Sequence, residues 1–295
     1  MKKNENPRSF AYKIVSWVIL ILLALLFLFP LYWIITGAFK PAQDIYSQKA
    51  VWWPTEWVSN NFDNLFNKRT APLFAFFGAE GPVGPAAFRW LLNTVFMSVV
   101  AMLLTCLTAA MAGYALAKKR FRGRAILFAL IVAAMALPKQ VILIPLLKEM
   151  SVLKLMDTLW AVIMPTVGWP FGVFLMKQFS ESIPGEILEA ARIDGASEFR
   201  TFTTVVVPMV KPGIGALAIF TFINAWNDYF MQLVMLPSGN NYTIPLGIAT
   251  LQGETSVDMG LLMAGAAFAA LPIIIVFLIF QKYFTQGITM GAVKG

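Results

Sequence analysis

Six long runs of apolar residues, separated by polar stretches, dominate the pattern along this chain. At a rise of about 1.5 Å per residue, about 20 apolar residues cross the hydrocarbon core of a bilayer. Each run therefore predicts one membrane-spanning helix, although Lys139 interrupts the third run and Asp228 interrupts the fifth. The predicted spans are residues 14–39, 90–117, 125–147, 158–176, 213–236 and 259–281.

A polar segment at residues 182–212 separates the fourth and fifth predicted spans. Ser182 and Pro184 favour a helix start, and two glutamates fall in the early turns, where the helix dipole favours acidic side chains. Gly195 then predicts a break, because glycine readily takes the left-handed conformation that other residues resist. The pattern predicts a compact helix-turn-helix. The alternative is a polar connector that lies among the lipid headgroups.

The composition is that of an integral membrane protein. Of the 295 residues, 59% are hydrophobic and only 13% are charged, whereas soluble domains are about a quarter charged. Almost no stretch outside the apolar runs is long enough to bury its own core, so we expect one all-α transmembrane domain over residues 1–295. The chain has no histidine and a single cysteine, Cys106. Histidine-based catalysis, imidazole metal sites and a disulfide framework are therefore excluded.

Lysine and arginine residues are unevenly distributed, and this distribution predicts the orientation of the chain. Four lie in the N-terminal tail, five in the loop at residues 118–124 and four in the loop at residues 177–212. The long loop at residues 40–89 has five spread over its length, and residues 237–258 have none. Both termini and the helix-turn-helix are therefore predicted to be cytoplasmic. Topology accounts for the net charge of +8, and nucleic-acid binding is not expected.

The third predicted span contains features that favour a transport pathway. Pro138 and Pro145 interrupt its helical hydrogen bonds, which favours a broken helix whose free backbone groups face protein or a cavity. Lys139 lies in the same span. Snorkelling to the outer surface is the ordinary interpretation of a lone lysine there, and lining a substrate path is the alternative.

The fifth predicted span carries polar and aromatic residues close together. Amide and carboxylate groups can exchange hydrogen bonds with hydroxyl groups, and aromatic rings can pack on the apolar face of a sugar ring. Hydrogen bonding between helices, or a position at the outer interface, explains such residues equally well. The candidates for a substrate pathway are Asn224, Trp226, Asn227, Asp228 and Tyr229.

Two further patterns concern packing. The loop at residues 40–89 holds Trp52, Trp53 and Trp57, which form either an aromatic belt at the membrane interface or a docking surface for an extracytoplasmic partner. Small residues four positions apart, such as Ala109 with Gly113, predict close approach between helices.

The order of residues in the helix-turn-helix resembles the EAA loop of the permeases of bacterial ATP-binding-cassette importers. It departs mainly in having valines where isoleucine and leucine are commoner. The six spans, the position of the loop and the C-terminal residues 287–295 extend the resemblance over nearly the whole chain, which is similar to the MalG-type subunits of carbohydrate importers. The matching loop residues are Glu189, Ala190, Ala191, Asp194, Gly195, Ala196, Phe199 or Phe202, and Pro208.

This resemblance implies a multi-pass permease of the bacterial plasma (inner) membrane that forms half of a carbohydrate pathway. The implied partners are a second, MalF-like permease, a dimer of ATP-binding-cassette ATPases, an extracytoplasmic solute-binding protein, the carbohydrate and membrane lipid. The helix-turn-helix would dock into the ATPase, with Glu189 against a basic residue and Gly195 permitting the turn. The chain lacks a GxxxxGK[ST] loop, so ATP and magnesium would bind the partner subunits, and we expect no cofactor, metal site or catalytic residue here.

An ion-coupled secondary transporter of small polar solutes is the main alternative. Such transporters usually carry several acids or histidines within the membrane as relays. Here Asp228 is the only acid clearly within a predicted span. A membrane-embedded enzyme is a weaker alternative, since the chain has neither paired carboxylates nor a nucleophile beside a base. The sequence therefore favours the importer.

Overall fold

The computed structural model describes residues 7–73, 82–252 and 257–292, with side chains from residue 12 to residue 281 within those ranges. The described chain is mostly helical. Its α-helices are α1 (Pro7–Ala38), α2 (Ala42–Ile45), α3 (Asn60–Asn67), α4 (Ala86–Lys118), α5 (Arg124–Ala134), α6 (Lys139–Val152), α7 (Trp160–Val167), α8 (Pro170–Glu181), α9 (Gly185–Ile193), α10 (Glu198–Thr201), α11 (Val207–Met209), α12 (Lys211–Asn227), α13 (Tyr229–Met235), α14 (Ile244–Ala249) and α15 (Met259–Ala292).

Short elements of other kinds complete the described chain. A π-helix at Phe202–Val206 joins α10 to α11, and a 3-10 turn at Gly239–Asn241 follows α13. Strands β1 (Thr70–Pro72) and β2 (Val83–Pro85) form an antiparallel pair in which Ala71 lies opposite Gly84. The chain divides into two compact units, one from residues 1–69 and 250–270 and the other from residues 70–249 and 271–295. A single membrane domain stays a prediction.

Four stretches of helix among the described residues are long and apolar enough to cross a membrane unaided. They are Tyr12–Ala38, Ala86–Lys118, Trp160–Glu181 and Met259–Gln281. Two bent pairs also qualify if each pair is one span: Arg124–Ala134 with Lys139–Val152, bent by 106°, and Glu198–Met209 with Lys211–Asn227, bent by 78°. The structure therefore agrees with six spans only when both bent pairs are counted.

The third and fifth predicted spans are broken rather than continuous. In the third, Pro138 has extended backbone and precedes α6 directly, so the predicted break at this proline is confirmed. Pro145 lies within α6 without ending it. In the fifth, Asp228 leaves the helical conformation at φ −76° and ψ 70°, and its carboxylate accepts a hydrogen bond from the Met231 N–H at 3.3 Å. The structure thus differs from one helix over 213–236, because this carboxylate caps a new helix.

The boundary between the fourth span and the helix-turn-helix also differs from the prediction. Helix α8 continues to Glu181, and an ion pair of 2.5 Å between Lys177 and Glu181 joins its last turn. Ser182, predicted to start the next helix, instead ends α8 and donates its hydroxyl hydrogen to the Phe179 carbonyl at 2.8 Å. Helix α9 begins three residues later, directly after Pro184.

In the first unit, buried polar residues order the loop after α1. The Lys40 ammonium donates to the Val51 carbonyl at 2.5 Å and lies 4.0 Å from the centre of the Trp33 ring. Burial lowers the pKa of Lys40 below its ordinary value. Trp52, Trp53 and Trp57 of this loop are each more than half exposed. An aromatic belt and a docking surface are both compatible with that exposure.

The second unit is built around α4, which packs along α7, α8 and α12. The backbones of α4 and α8 approach each other closely at Gly113. A Cβ atom built there would lie 2.6 Å from the Met176 carbonyl carbon and 2.6 Å from the Lys177 nitrogen, both of which are backbone atoms of α8. Ala109, four residues earlier in α4, is buried and faces Gly172 of α8. The predicted close packing at Ala109 and Gly113 is confirmed.

Candidate functional site

Three helix breaks in the second unit meet at one cavity of about 670 Å³. The first break separates α5 from α6, the second separates α7 from α8 at Gly168 and Trp169, and the third separates α12 from α13 at Asp228. Residues from all three breaks line the cavity. At membrane depth, non-helical backbone is tolerated where it is buried in protein or faces a water-filled cavity. The cavity is therefore a place where the non-helical backbone of the three breaks can be accommodated.

An ion pair crosses the cavity between two of the breaks. The Lys139 ammonium lies 2.7 Å from a carboxylate oxygen of Asp228, and both side chains line the cavity. The Lys139 side chain is 54% exposed and the Asp228 side chain is 12% exposed. The pair can exchange hydrogen bonds with a polar solute, because Lys139 is a donor and Asp228 an acceptor. Lys139 does not stand alone in its span, which favours the path-lining interpretation over snorkelling.

The structure brings only some of the predicted pathway residues to this cavity. Asn224 and Asp228 line it. Trp226 is buried elsewhere, with its ring centre 5.4 Å from that of Phe222. Asn227 and Tyr229 are exposed but do not line the cavity, and the Asn227 amide donates to the Ile223 carbonyl at 2.8 Å. The Asn224 amide makes the equivalent bond to the Phe220 carbonyl at 2.8 Å, so the two asparagines differ in whether they line the cavity.

Sequence reasoning missed four polar or aromatic residues of the lining, which are Glu149, Thr166, Trp169 and Phe171. Trp169 is half-buried at the break between α7 and α8, and Glu149 comes from the far end of α6. The sequence Gly168, Trp169, Pro170 did contain a signal for the break, because glycine and proline both tend to interrupt helices. No sequence signal placed Glu149 here. No group of three or more Asp, Glu, Cys or His side chains within the described ranges is placed to hold a metal ion.

The helix-turn-helix, formed by α9 to α11 (residues 185–209), is the second candidate site. Its inner face is packed against the end of α4. Leu188, Phe202 and Val206 are buried in one cluster with Tyr114, and the rings of Tyr114 and Phe202 are 5.8 Å apart. The Lys118 ammonium donates to the carbonyl of Ile183 at 2.6 Å. The segment is therefore attached to the bundle by its own buried residues.

The turn between α9 and α10 has the geometry that glycine was predicted to provide. Gly195 lies in the left-handed region at φ +77°. Its N–H donates to the Arg192 carbonyl, and the Ala196 N–H donates to the Ala191 carbonyl, each at 3.0 Å. This pair of bonds is the Schellman arrangement that ends a helix. The predicted left-handed turn at Gly195 is confirmed.

The rest of the helix-turn-helix follows from its caps and prolines. Ser197 begins α10 by accepting a hydrogen bond from the Arg200 N–H at 3.3 Å. Pro208 has no N–H to donate to the residue four earlier, and the preceding turn is a π-helix, in which the Val207 N–H donates to the Phe202 carbonyl. The chain then bends by 78° into α12 next to Pro212. The predicted redirection at the prolines is confirmed.

The outer face of the helix-turn-helix carries large apolar side chains without cover in the described chain. Ile193 is 86% exposed and Phe199 is 74% exposed, one on each side of the turn at Gly195. Glu189, Ala190, Asp194 and Pro208 are also exposed, while Ala191 and Ala196 are half-buried. Sequence reasoning missed Ile193. Exposed apolar side chains gathered in one place are typical of a protein contact surface.

Charged contacts hold the second half of the helix-turn-helix. The Glu198 carboxylate accepts a hydrogen bond from Lys119, which directly follows α4, and lies 3.5 Å from Arg192 of α9. The hydrogen bond from Lys119 holds the pKa of Glu198 below its ordinary value, and the charges of Lys119 and Arg192 act in the same direction. The ion pair between Lys119 and Glu198 joins the basic loop at residues 118–124 to the helix-turn-helix.

Comparison with known proteins agrees with this architecture. The family model described as "Binding-protein-dependent transport system inner membrane component" matches residues 106–290, which include the cavity and the helix-turn-helix. The chain therefore belongs to this family of multi-pass inner-membrane proteins. It is 33% identical over 292 residues to the arabinooligosaccharides transport system permease protein AraQ of Bacillus subtilis (strain 168), covering 99% of each chain.

Two solved structures share the fold. One is a bacterial ABC transporter involved in the import of the acidic polysaccharide alginate, with a TM-score of 0.77 and 22% identity over 96% of this chain and 100% of that chain. The other is an alginate transporter in complex with a pentasaccharide-bound periplasmic protein, with a TM-score of 0.56 and 15% identity over 92% of each chain. At these identities the likeness concerns the fold alone.

Proposed function

We propose that this chain is the permease subunit of an ATP-driven importer for a carbohydrate and that it forms half of the translocation pathway. The names of similar proteins support a saccharide: the Bacillus relative is a permease for arabinooligosaccharides. The cavity at the three breaks is the proposed contribution of this subunit to the path, with Asn224 and Asp228 as polar contacts. Membership of a binding-protein-dependent family favours this function over an ion-coupled secondary transporter.

The helix-turn-helix is the proposed contact with a separate ATPase, on the cytoplasmic side. The observation that carries this assignment is its two-faced construction: the inner face is buried against α4, and the outer face leaves Ile193 and Phe199 exposed. ATP-driven closure of the ATPase would move this surface, and its attachment to the bundle would carry the motion to the spans. Glu189 is the proposed partner of a basic residue on the ATPase.

The other proposed partners are a second, MalF-like permease and an extracytoplasmic solute-binding protein. A periplasmic protein is bound in one of the similar solved structures, which supports the second of these. ATP and magnesium would be held by the ATPase dimer, and this subunit would carry no cofactor of its own.

A pair of glycine substitutions tests the coupling assignment. We expect Gly195→Trp to lower saccharide uptake and saccharide-dependent ATP hydrolysis by about tenfold or more in reconstituted vesicles, because loss of about 1.4 kcal/mol of docking free energy is a tenfold effect. Gly123→Trp is the matched control. Both glycines have left-handed backbone, at φ +77° and +82°, and a Cβ at either meets nothing within 4 Å in the described structure. The backbone strain is therefore equal, and the control should retain most of its uptake.

Glu189→Lys provides a second measurement, because it changes the charge on the exposed face without strain in the backbone. We expect it to weaken co-purification of the ATPase and to lower uptake with it. Unchanged uptake and ATP hydrolysis in both Gly195→Trp and Glu189→Lys would contradict the coupling assignment.

A further inference from the structure

Asp157, in the loop between α6 and α7, adopts a backbone conformation that is uncommon for residues other than glycine. Its backbone is left-handed at φ +58°. Such strain persists where surrounding contacts over-determine it. The contacts here all go to one neighbouring segment, residues 235–241, which begins at the end of α13.

Four hydrogen bonds join Asp157 to that segment. Its N–H donates to the Met235 carbonyl at 3.0 Å, and its carbonyl accepts from the Asn241 amide at 2.6 Å. One carboxylate oxygen accepts from the Ser238 N–H at 3.0 Å and the other from the Ser238 hydroxyl at 2.5 Å. Backbone and side chain of Asp157 are thus both committed to holding the segment.

A second set of hydrogen bonds, donated by residues of α4, holds the same segment. Arg89, which is 1% exposed, donates to the Asn240 carbonyl at 3.0 Å. Asn93 donates to the carbonyls of Asn240 and Tyr242 at 3.1 and 2.8 Å. Loops between helices are usually the mobile parts of a fold. Here the residues from 235 to 242 are fastened by both sets of hydrogen bonds while Pro237 to Asn240 stay exposed.

Helix α13 connects this fastened segment to the cavity. Asp228 begins the helix and pairs with Lys139, and Met235, which Asp157 binds, ends it. Between them, Gln232 is fully buried, donates to the Ala225 carbonyl at 3.0 Å and accepts from the Thr243 hydroxyl. Seven helical residues span about 10 Å. Because this helix is short and anchored along its length, a movement of the exposed segment should be passed on to the ion pair.

We propose that Asp157 is a positioning residue for transport. Asp157 joins the segment at residues 235–241 and α13 into one rigid unit, here called the strut. A solute-binding protein docks on the exposed part of the segment. Through the strut it controls the Lys139–Asp228 ion pair and the opening of the cavity. The inference rests on the proposed function: with the helix-turn-helix on the cytoplasmic side, the fifth predicted span crosses the membrane before this segment, which therefore lies outside the cell. The exposed part carries no charged side chain, since its residues are Pro237, Ser238, Gly239 and Asn240, and it presents a neutral polar surface to the docking protein.

A docked protein shifts a conformational equilibrium only through its differential affinity for the two states. Coupling between two sites in one protein typically amounts to about 5- to 150-fold. Loss of the strut should therefore lower the maximal stimulation by the binding protein while leaving the docking surface itself in place.

The test is ATP hydrolysis by the complete transporter in nanodiscs, titrated with the saccharide-loaded solute-binding protein that stimulates the wild-type complex. Asp157→Gly removes the carboxylate and relieves the left-handed strain. We expect its maximal stimulated rate to fall about fivefold or more, with the basal rate and the half-saturating concentration of binding protein changed by less than about twofold. Asp157→Asn keeps an acceptor and tolerates left-handed backbone, and should retain most of the stimulation.

Lys154→Gly is the matched control. Lys154 lies in the same loop with φ +56°, and its side chain makes no hydrogen bond to residues 235–241 in the described structure. It should behave as wild type. If the wild-type complex is stimulated and Asp157→Gly is stimulated equally, the inference is overturned but the proposed function is not. The same holds if the basal rate and the complex yield of Asp157→Gly fall as much as its stimulated rate. A wild-type complex that no saccharide-loaded binding protein stimulates would overturn the proposed function and the inference together.

A double-mutant cycle distinguishes the strut from a loop that merely supports the surface. If α13 relays the docking event to the ion pair, Asp157→Gly should cause less than about a twofold further loss of stimulation when Asp228→Asn is already present. The same fivefold loss in both backgrounds would show independent effects and would overturn the inference.

Discussion

Gly113→Leu is expected to prevent the permease from assembling as a folded protein. A Cβ atom at this position would lie 2.6 Å from backbone atoms of Met176 and Lys177 in α8. Backbone atoms cannot move aside as the tip of a flexible side chain can, so α4 and α8 must separate along their contact. Overpacking of this kind typically costs about 1–3 kcal/mol and occasionally more. We place the leucine variant at about 3 kcal/mol or above and Gly113→Ala at about 2 kcal/mol.

Size-exclusion chromatography and thermal unfolding in detergent measure this effect. Leucine should abolish the monodisperse peak, and alanine should lower the unfolding temperature. Gly185→Leu is the control, because a Cβ at Gly185, the first residue of α9, meets nothing within 4 Å. A surface change of this type usually stays within about 0.5 kcal/mol. Equal behaviour of the Gly113 and Gly185 variants would show that the two helices do not depend on their close approach.

The helix-turn-helix could be predicted from the sequence because its determinants are local. A left-handed turn favours glycine, and Gly195 has that conformation at φ +77°. Prolines likewise act on their own neighbours, as Pro138 does at the start of α6. The error at Ser182 has the same origin, since a serine can follow one helix as readily as begin another, and only the tertiary position of α8 decides between them.

The cavity could be predicted only in part. The polar cluster of the fifth span was visible in the sequence, but the choice among its members depends on how the helix is rotated, which buries Trp226 and directs Asn224 to the cavity. Lys139 meets Asp228 because α6 is bent by 106° from α5. Neither a bend angle nor an approach between residues 89 positions apart follows from hydrophobic periodicity. Glu149 reaches the lining through the same bend, and Trp169 lies at the separate break between α7 and α8.

Breaking the ion pair of the cavity should separate its structural role from its transport role. Lys139→Met leaves the Asp228 carboxylate, whose side chain is 12% exposed, without its partner, whereas Asp228→Asn leaves an ammonium that is 54% exposed. An unpaired charge within a membrane span costs about 2.5–3.5 kcal/mol at the bilayer centre. Solvent at the cavity reduces that cost, so we expect about 2 kcal/mol for Lys139→Met and about 1 kcal/mol for Asp228→Asn, measured by thermal unfolding of the purified complex.

The double variant Lys139→Met/Asp228→Asn removes both charges and should regain most of the stability lost in Lys139→Met, because a pair replaced by neutral groups is often no less stable than the ion pair. Its saccharide uptake should nevertheless stay about tenfold below wild type, since the donor and acceptor proposed to face the solute are both gone. If the double variant is more stable than Lys139→Met but its uptake is no higher, the ion pair belongs to the pathway. Recovery of both together would instead make the pair a tie between α6 and α13, and would transfer the substrate contacts of this subunit to the remaining polar lining at Asn224 and Trp169.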